Sequence, residues 1–85
     1  MVEETIRQSV RNFIYTELFD GEIPQDFTDD TSLVSSRLMD SIVTLYMINQ
    51  FEEQFNIAFE AHEVIVENLD TVNILVKFIA AKINA

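Results

Sequence analysis

Few residues in this chain could do covalent or metal chemistry. There is no Cys, which excludes a thiolate nucleophile, a thiolate metal site and a disulfide framework. The one His, His62, has no second His or carboxylate at the spacing of a zinc-binding helix, and it reads as a surface residue of a loop. Glu52 and Glu53 are neighbours, but adjacent side chains on a helix diverge by about 100°, so the two carboxylates do not converge on a substrate. Ser41 lies in Leu38-Met39-Asp40-Ser41-Ile42. It has no Gly-x-Ser-x-Gly context and no second His to serve as base, which argues against a hydrolase triad. No Gly-rich phosphate loop exists. Enzymatic catalysis is therefore the weak reading.

What stays distinctive is a serine delivered by a long loop to the mouth of a helix. A hydroxyl there is expected to be exposed. The neighbouring N–H groups and the helix dipole favour an anion at that point, so a phosphate ester on Ser41 would be well accommodated. The plainer reading is that Asp-Ser is an ordinary way to begin a helix, and on the dipeptide alone that reading wins.

The elements that must position Ser41 follow from apolar spacing. Ile6, Val10, Phe13, Ile14 and Leu18 share one face of a helix running from about Glu3 to Phe19. Asp20-Gly21 stops it, and Pro24 prevents early resumption. Residues 20–39 read as a long loop rich in turn formers, pinned by Phe27, Leu33, Leu38 and Met39, with room for a short helical turn after Asp30. A second helix starts at Asp40 or Ser41, with Asp40 as N-cap, and ends near Phe55. Its core stripe is Met47, Ile48, Phe51 and Phe55. Ile42, Leu45, Tyr46 and Asn49 form a second stripe beside it, and Glu52, Glu53 and Gln54 supply most of the wet face. Asn56 suits a left-handed cap. Ile57-Ala58-Phe59 is an extended connector, and Ala61 to Asn68 form a short third helix, against which the branched Val64-Ile65-Val66 pulls toward extended backbone. Asp70 or Thr71 caps the last helix, whose inner face is Val72, Leu75, Val76, Ile79 and Ile83.

The expected architecture is all-α: a small four-helix bundle of three longer helices and one short one, with a long loop between the first and second. The 85 residues fit a single domain, 1–85. One Gly and one Pro are too few for a β-protein with many tight turns.

The formal net charge is −10. No Lys or Arg lies between Arg37 and Lys77, an interval holding Asp40, Glu52, Glu53, Glu60, Glu63, Glu67 and Asp70. A nucleic-acid partner and an anionic membrane are both disfavoured, since each needs a basic surface. The longest apolar runs are too short to span a bilayer. The N-terminus Met1-Val2-Glu3-Glu4 is acidic and lacks the pattern of a secretion signal. With the missing Cys, this fits a cytoplasmic location. The acidic surface serves either solubility or docking to basic proteins; charge alone favours solubility.

Four stretches together carry a resemblance: Asp29-Asp30-Thr31-Ser32-Leu33, Leu38-Met39-Asp40-Ser41-Ile42, Phe51-Glu52-Glu53-Gln54-Phe55-Asn56-Ile57 and Glu67-Asn68-Leu69-Asp70-Thr71-Val72. In order and spacing they resemble the acyl carrier protein family from near residue 3 to near residue 83. The resemblance implies that a phosphopantetheinyl transferase moves 4′-phosphopantetheine from coenzyme A onto Ser41. The arm's thiol would then hold an acyl or aminoacyl group as a thioester, and the carrier would do no chemistry itself. It implies a monomer that meets acyl- or aminoacyl-loading and acyl-transfer enzymes through basic or mixed basic and apolar patches. Asp40, Ile42 and Leu45 would contact the arm and partners. Tyr46, Asn49, Glu52, Glu53, Val64 and Ile65 would serve docking. For Ile42 and Leu45 the equal alternative is packing against the first loop.

Three departures from the family pattern point to a specialised carrier. Its members commonly have a Gly in the turn before Leu-x-Asp-Ser; here the stretch is Ser35-Ser36-Arg37, so the loop needs another way to turn. Many fatty-acid carriers place acids two and five residues after the serine; here those positions are Val43 and Tyr46, and Arg37 is basic. Ile, rather than Leu, follows the serine. The expected role is in specialised fatty-acyl, polyketide or lipid-modifying metabolism. The alternatives are an aminoacyl, peptidyl or D-alanyl carrier and, from another class, an unmodified acidic adaptor or inhibitor.

Overall fold

The computed structural model describes residues 2–84; Met1 and Ala85, the ends of the expected domain, lie outside them. The described residues form an all-α structure: α1 (Val2–Glu17), α2 (Ser41–Phe55), a 3-10 turn (Ala61–Glu63), α3 (Val66–Leu69) and α4 (Val72–Ile83). Helix α1 packs along α4, and α3 packs against α4.

Each helix end has a local cause. Glu3 and Glu4 in the first turn of α1 meet the positive end of its dipole. Its helical bonding continues to Leu18, whose N–H reaches the Ile14 carbonyl at 2.9 Å. Asp20 (φ 53°) and Gly21 (φ 86°) then reverse the chain in the left-handed region. The Gly21 N–H closes on the Tyr15 carbonyl at 2.9 Å. Asp40 caps α2 through its carboxylate, which accepts the Val43 N–H at 2.8 Å. Asn56 ends that helix with φ 55° and ψ 50°, and the Ile57 N–H returns to the Glu52 carbonyl at 3.1 Å. Thr71, rather than Asp70, caps α4: its hydroxyl accepts the Ile74 N–H at 3.0 Å.

The core is drawn from every long element. Ile6, Val10 and Ile14 of α1, Met47 and Phe51 of α2, and Val72, Leu75, Val76 and Ile79 of α4 are buried, and Leu33 and Met39 enter from the loop. Each such side chain contributes about 1.5–3 kcal/mol on leaving water. The expected pins Leu33 and Met39 hold, and Phe27 packs at the core margin against Tyr15 and Phe19. Leu38 differs: it is 39% exposed, because Met39 takes the inward position and the chain turns outward just before it.

Two other expectations are revised. The helix over Ala61–Asn68 divides, since Ile65 adopts extended backbone at φ −132° and ψ 157°, as its branched Cβ prefers. The 3-10 turn before it is tied down by Glu63, which accepts the Glu60 N–H at 2.8 Å and Lys82 Nζ at 2.7 Å. The stretch after Asp30 forms turns and no helix.

Polar groups fix the long loop as firmly as apolar ones. Asp29 pairs with Arg7 at 2.6 Å and with Arg11 at 2.7 Å, both on α1. Asn73 of α4 donates its backbone N–H to the Asp29 carbonyl at 3.1 Å and its side-chain amide to Asp30 at 2.7 Å. The Arg11 hydrogen bonds, helped by Arg7, hold the Asp29 carboxyl below its ordinary range against the opposing effect of burial.

Candidate functional site

Helix α2 begins at Ser41, so its serine occupies the first helical position, directly after the Asp40 cap. The residue is exposed. Its hydroxyl has no hydrogen-bond partner among the described residues. The cap explains why the hydroxyl is free. Asp40, rather than Ser41, supplies the side-chain acceptor for Val43, and the Asp40 carbonyl takes both the Thr44 N–H at 3.0 Å and the Thr44 hydroxyl at 2.7 Å. The N–H groups of Ser41 and Ile42 remain open at the positive end of the helix.

Beside the serine lies a cleft of about 530 Å³, with Ser41, Asp40 and Arg37 at its polar side. Its apolar wall includes Val34, Met39, Leu45, Val64, Ile65 and Leu69. Three separate parts of the chain build it: the end of the long loop, the first turns of α2, and the segment leading into α3. Asp70 joins the first and last of these. Its Oδ1 accepts the N–H groups of Val34 and Ser35, each at 2.9 Å, and its Oδ2 accepts the Ser35 hydroxyl at 2.8 Å. The Ser35 N–H leads these hydrogen bonds in holding the Asp70 carboxyl below its ordinary range.

Arg37 provides the turn that the sequence lacked a glycine for. Its φ is 68°, in the left-handed region that a Cβ makes strained. Its N–H bonds the Val34 carbonyl at 3.0 Å, and the Met39 N–H bonds the Leu33 carbonyl at 2.9 Å. The chain thereby turns sharply between a buried Leu33 and a buried Met39 and delivers Asp40-Ser41 to the surface.

The residues expected around Ser41 separate into distinct groups. Ile42 is 78% exposed and Leu45 55% exposed, so neither is packed into the core, and Leu45 lines the cleft together with the loop residues Val34 and Met39. Tyr46 and Ile65 are also exposed, as is Asn49. Tyr46 rests its ring against Phe13 with centroids 5.7 Å apart. Val64 is half-buried and belongs to the cleft wall. Glu53 is exposed. Glu52 is not free on the wet face: its carboxylate accepts the Phe59 N–H at 2.7 Å and fixes the connector after α2. Val43 packs at the core margin, which accounts for an apolar residue at that position. The cleft residues Val34, Thr44, Val66 and Leu69 were not among the expected site residues. Their only sequence signal is an apolar or small side chain, which core residues share.

An exposed, unpartnered hydroxyl and two open N–H groups at a helix N-terminus suit a phosphate ester, and the adjoining cleft offers a surface beside it. No helix among the described residues is long and apolar enough to cross a membrane. No curated protein and no solved structure gives a significant match to the chain. The family model for the phosphopantetheine attachment site matches residues 19–79, a span that holds the long loop, α2, α3 and most of α4. The chain therefore belongs to the acyl carrier protein family, whose phosphopantetheine-binding domain is the attachment site of a covalent 4′-phosphopantetheine.

Proposed function

We propose that the chain carries an acyl group on a phosphopantetheine arm joined to Ser41, and presents it to dedicated enzymes of specialised fatty-acyl, polyketide or lipid-modifying metabolism. The observation that carries this reading is the Ser41 hydroxyl, which is exposed and unpartnered at the rim of an apolar cleft. A transferase must reach the hydroxyl, and a hydroxyl with no bond to break is ready for transfer. When bound, the arm supplies a terminal thiol that holds the cargo as a thioester.

The chain's own residues have supporting tasks. Asp40 keeps the first turn of α2 closed. The open N–H groups of Ser41 and Ile42 offer the phosphate charge a favourable field. Val34, Met39, Leu45 and Ile65 present an apolar wall, which favours an acyl over a polar aminoacyl cargo. Ile42, Leu45, Tyr46 and Ile65 are exposed, and Leu45 and Ile65 line the cleft with the serine. Together with Glu53 they fit partners with mixed basic and apolar patches, the acid contributing rate and orientation more than affinity. The carrier forms no bond itself; tethering raises the effective concentration of the cargo at each enzyme.

The test is intact-mass analysis after incubation with coenzyme A and a broad-specificity phosphopantetheinyl transferase. The wild-type chain is expected to gain one phosphopantetheine and Ser41→Ala none. A wild-type chain left unmodified by several transferases overturns the reading. A stable complex with a basic protein that survives Ser41→Ala would then point to an unmodified adaptor.

A further inference from the structure

The chain has five basic residues, and three are committed to ion pairs: Arg7 and Arg11 with Asp29, and Lys82 with Glu63. Lys77 is exposed on α4. Arg37 is exposed, has no carboxylate partner among the described residues, and lines the same cleft as Ser41. It sits at a left-handed position, φ 68°, where glycine would be relaxed and any side chain is strained. The fold therefore keeps a free cation at the attachment point despite a backbone geometry that opposes it.

The surroundings say what that cation can face. The net charge of −10 works against adding an anion anywhere on the surface. Asp40 brings a carboxylate to the same side of the cleft. Helix α2 carries no acid in its first turn, and the two open N–H groups beside Ser41 supply only partial positive charge. A guanidinium offers several fixed donors and matches phosphate oxygens two at a time.

We infer that Arg37 is a positioning residue for the arm: its guanidinium pairs with the phosphodiester on Ser41 and restrains the base of the arm at the cleft mouth. This inference rests on attachment at Ser41. It goes beyond that reading because it assigns the phosphate a side-chain partner and makes the arm's orientation depend on it.

The experiment uses the full chain in its apo and holo forms, and two NMR signals. The Arg37 Hε resonance of the wild type is expected to shift and exchange more slowly with water on conversion to the holo form. The 31P resonance of the native holo protein is expected to differ from that of the same protein unfolded in urea. In Arg37→Gln it should move most of the way to the unfolded value, and in Arg37→Lys it should stay near the native one. A merely structural turn residue would move neither signal. An Arg37 Hε resonance unchanged between apo and holo forms overturns the inference while leaving attachment intact, and needs no variant. So does a 31P shift in folded Arg37→Gln equal to that of the wild type. A chain that no transferase modifies removes both the inference and the reading beneath it.

Discussion

Asp70 and Ser35 hold each other twice: the Ser35 N–H reaches Asp70 Oδ1 at 2.9 Å, and the Ser35 hydroxyl reaches Oδ2 at 2.8 Å. The two residues are 35 positions apart, yet this contact joins the loop before Ser41 to the junction between α3 and α4. The Leu33 N–H adds a 2.6 Å bond to the Asp70 carbonyl. The cleft walls on either side of the serine thus share one anchor. Charge-assisted hydrogen bonds of this kind are worth about 1.5–3 kcal/mol net. Asp70→Ala is therefore expected to lower the urea-unfolding free energy by about 2–3 kcal/mol, and to speed amide hydrogen exchange from Leu33 to Met39 more than in α1. A loss below about 0.5 kcal/mol, the scatter of ordinary surface substitutions, would mean that the anchor does not hold the loop.

Acid should loosen both the long loop and the 3-10 turn. The carboxyls of Asp29, Asp70 and Glu63 are all held below their ordinary values, by Arg11 hydrogen bonding, by the Ser35 N–H and by the Glu60 N–H respectively. A carboxylate whose folded value is depressed contributes stability that is present above its unfolded value. That contribution is lost as pH falls through the folded one. The ordinary Asp value is 3.8, so the loss begins near there and continues below it. Relief of self-repulsion from the net negative charge acts in the opposite direction over part of this range, so the whole-protein curve mixes the two. The difference between wild type and Asp29→Asn isolates one group. Urea unfolding from neutral pH into acid should show the variant less stable at pH 7 and the gap closing below the ordinary Asp value. A gap that persists unchanged into strong acid would assign the effect of Asp29→Asn to lost packing.

Arg37 is the sharpest case of what local sequence can and cannot reveal. The missing glycine before Leu38 signals that the loop must turn in another way, and the solution is a strained arginine with φ 68°. A left-handed residue with a Cβ costs about 1–2 kcal/mol relative to glycine, partly offset by glycine's greater freedom in the unfolded chain. Arg37→Gly is expected to stabilise the apo protein by about 1 kcal/mol in urea unfolding, whereas Arg37→Ala should give no such gain. Equal effects from the two variants would show that the arginine side chain, rather than the backbone, sets the difference.

The same contrast runs through the molecule. The caps at Asp40, Asn56 and Thr71 and the apolar stripes of α1, α2 and α4 depend on neighbours a few residues away, so spacing alone exposes them. The bonds of Asp29 to Arg7 and Arg11, of Asp70 to Ser35 and of Glu52 to Phe59 depend on distant or turned backbone. No periodicity encodes those. From spacing Glu52 reads as a free wet-face acid, whereas one of its carboxylate oxygens accepts the Phe59 N–H. The serine could be singled out from the spacing of the whole chain, but its cleft could not, because Val34, Val66 and Leu69 differ in no local way from core residues.

Val43 and Tyr46 stand where many fatty-acid carriers have acids, and the structure separates their roles. Val43 packs against the core margin. Val43→Glu would press a carboxylate into apolar surroundings, and it is expected to destabilise by about 2–3 kcal/mol whatever it does to partners. Tyr46 is 47% exposed and rests on Phe13 at 5.7 Å, an aromatic pair worth about 0.5–1.5 kcal/mol. Tyr46→Glu should therefore fold, at a cost of about 1 kcal/mol, while placing a negative charge two turns of helix nearer to Ser41 than Glu53. Charge complementarity chiefly governs encounter rate and orientation. A ketosynthase with a basic docking face is therefore expected to turn over the acylated Tyr46→Glu carrier faster than the wild type, with an advantage that shrinks as salt is added. Turnover equal to wild type at low salt would show that this position does not set partner choice. Any partner preference would then have to come from the exposed apolar residues Ile42, Leu45 and Ile65.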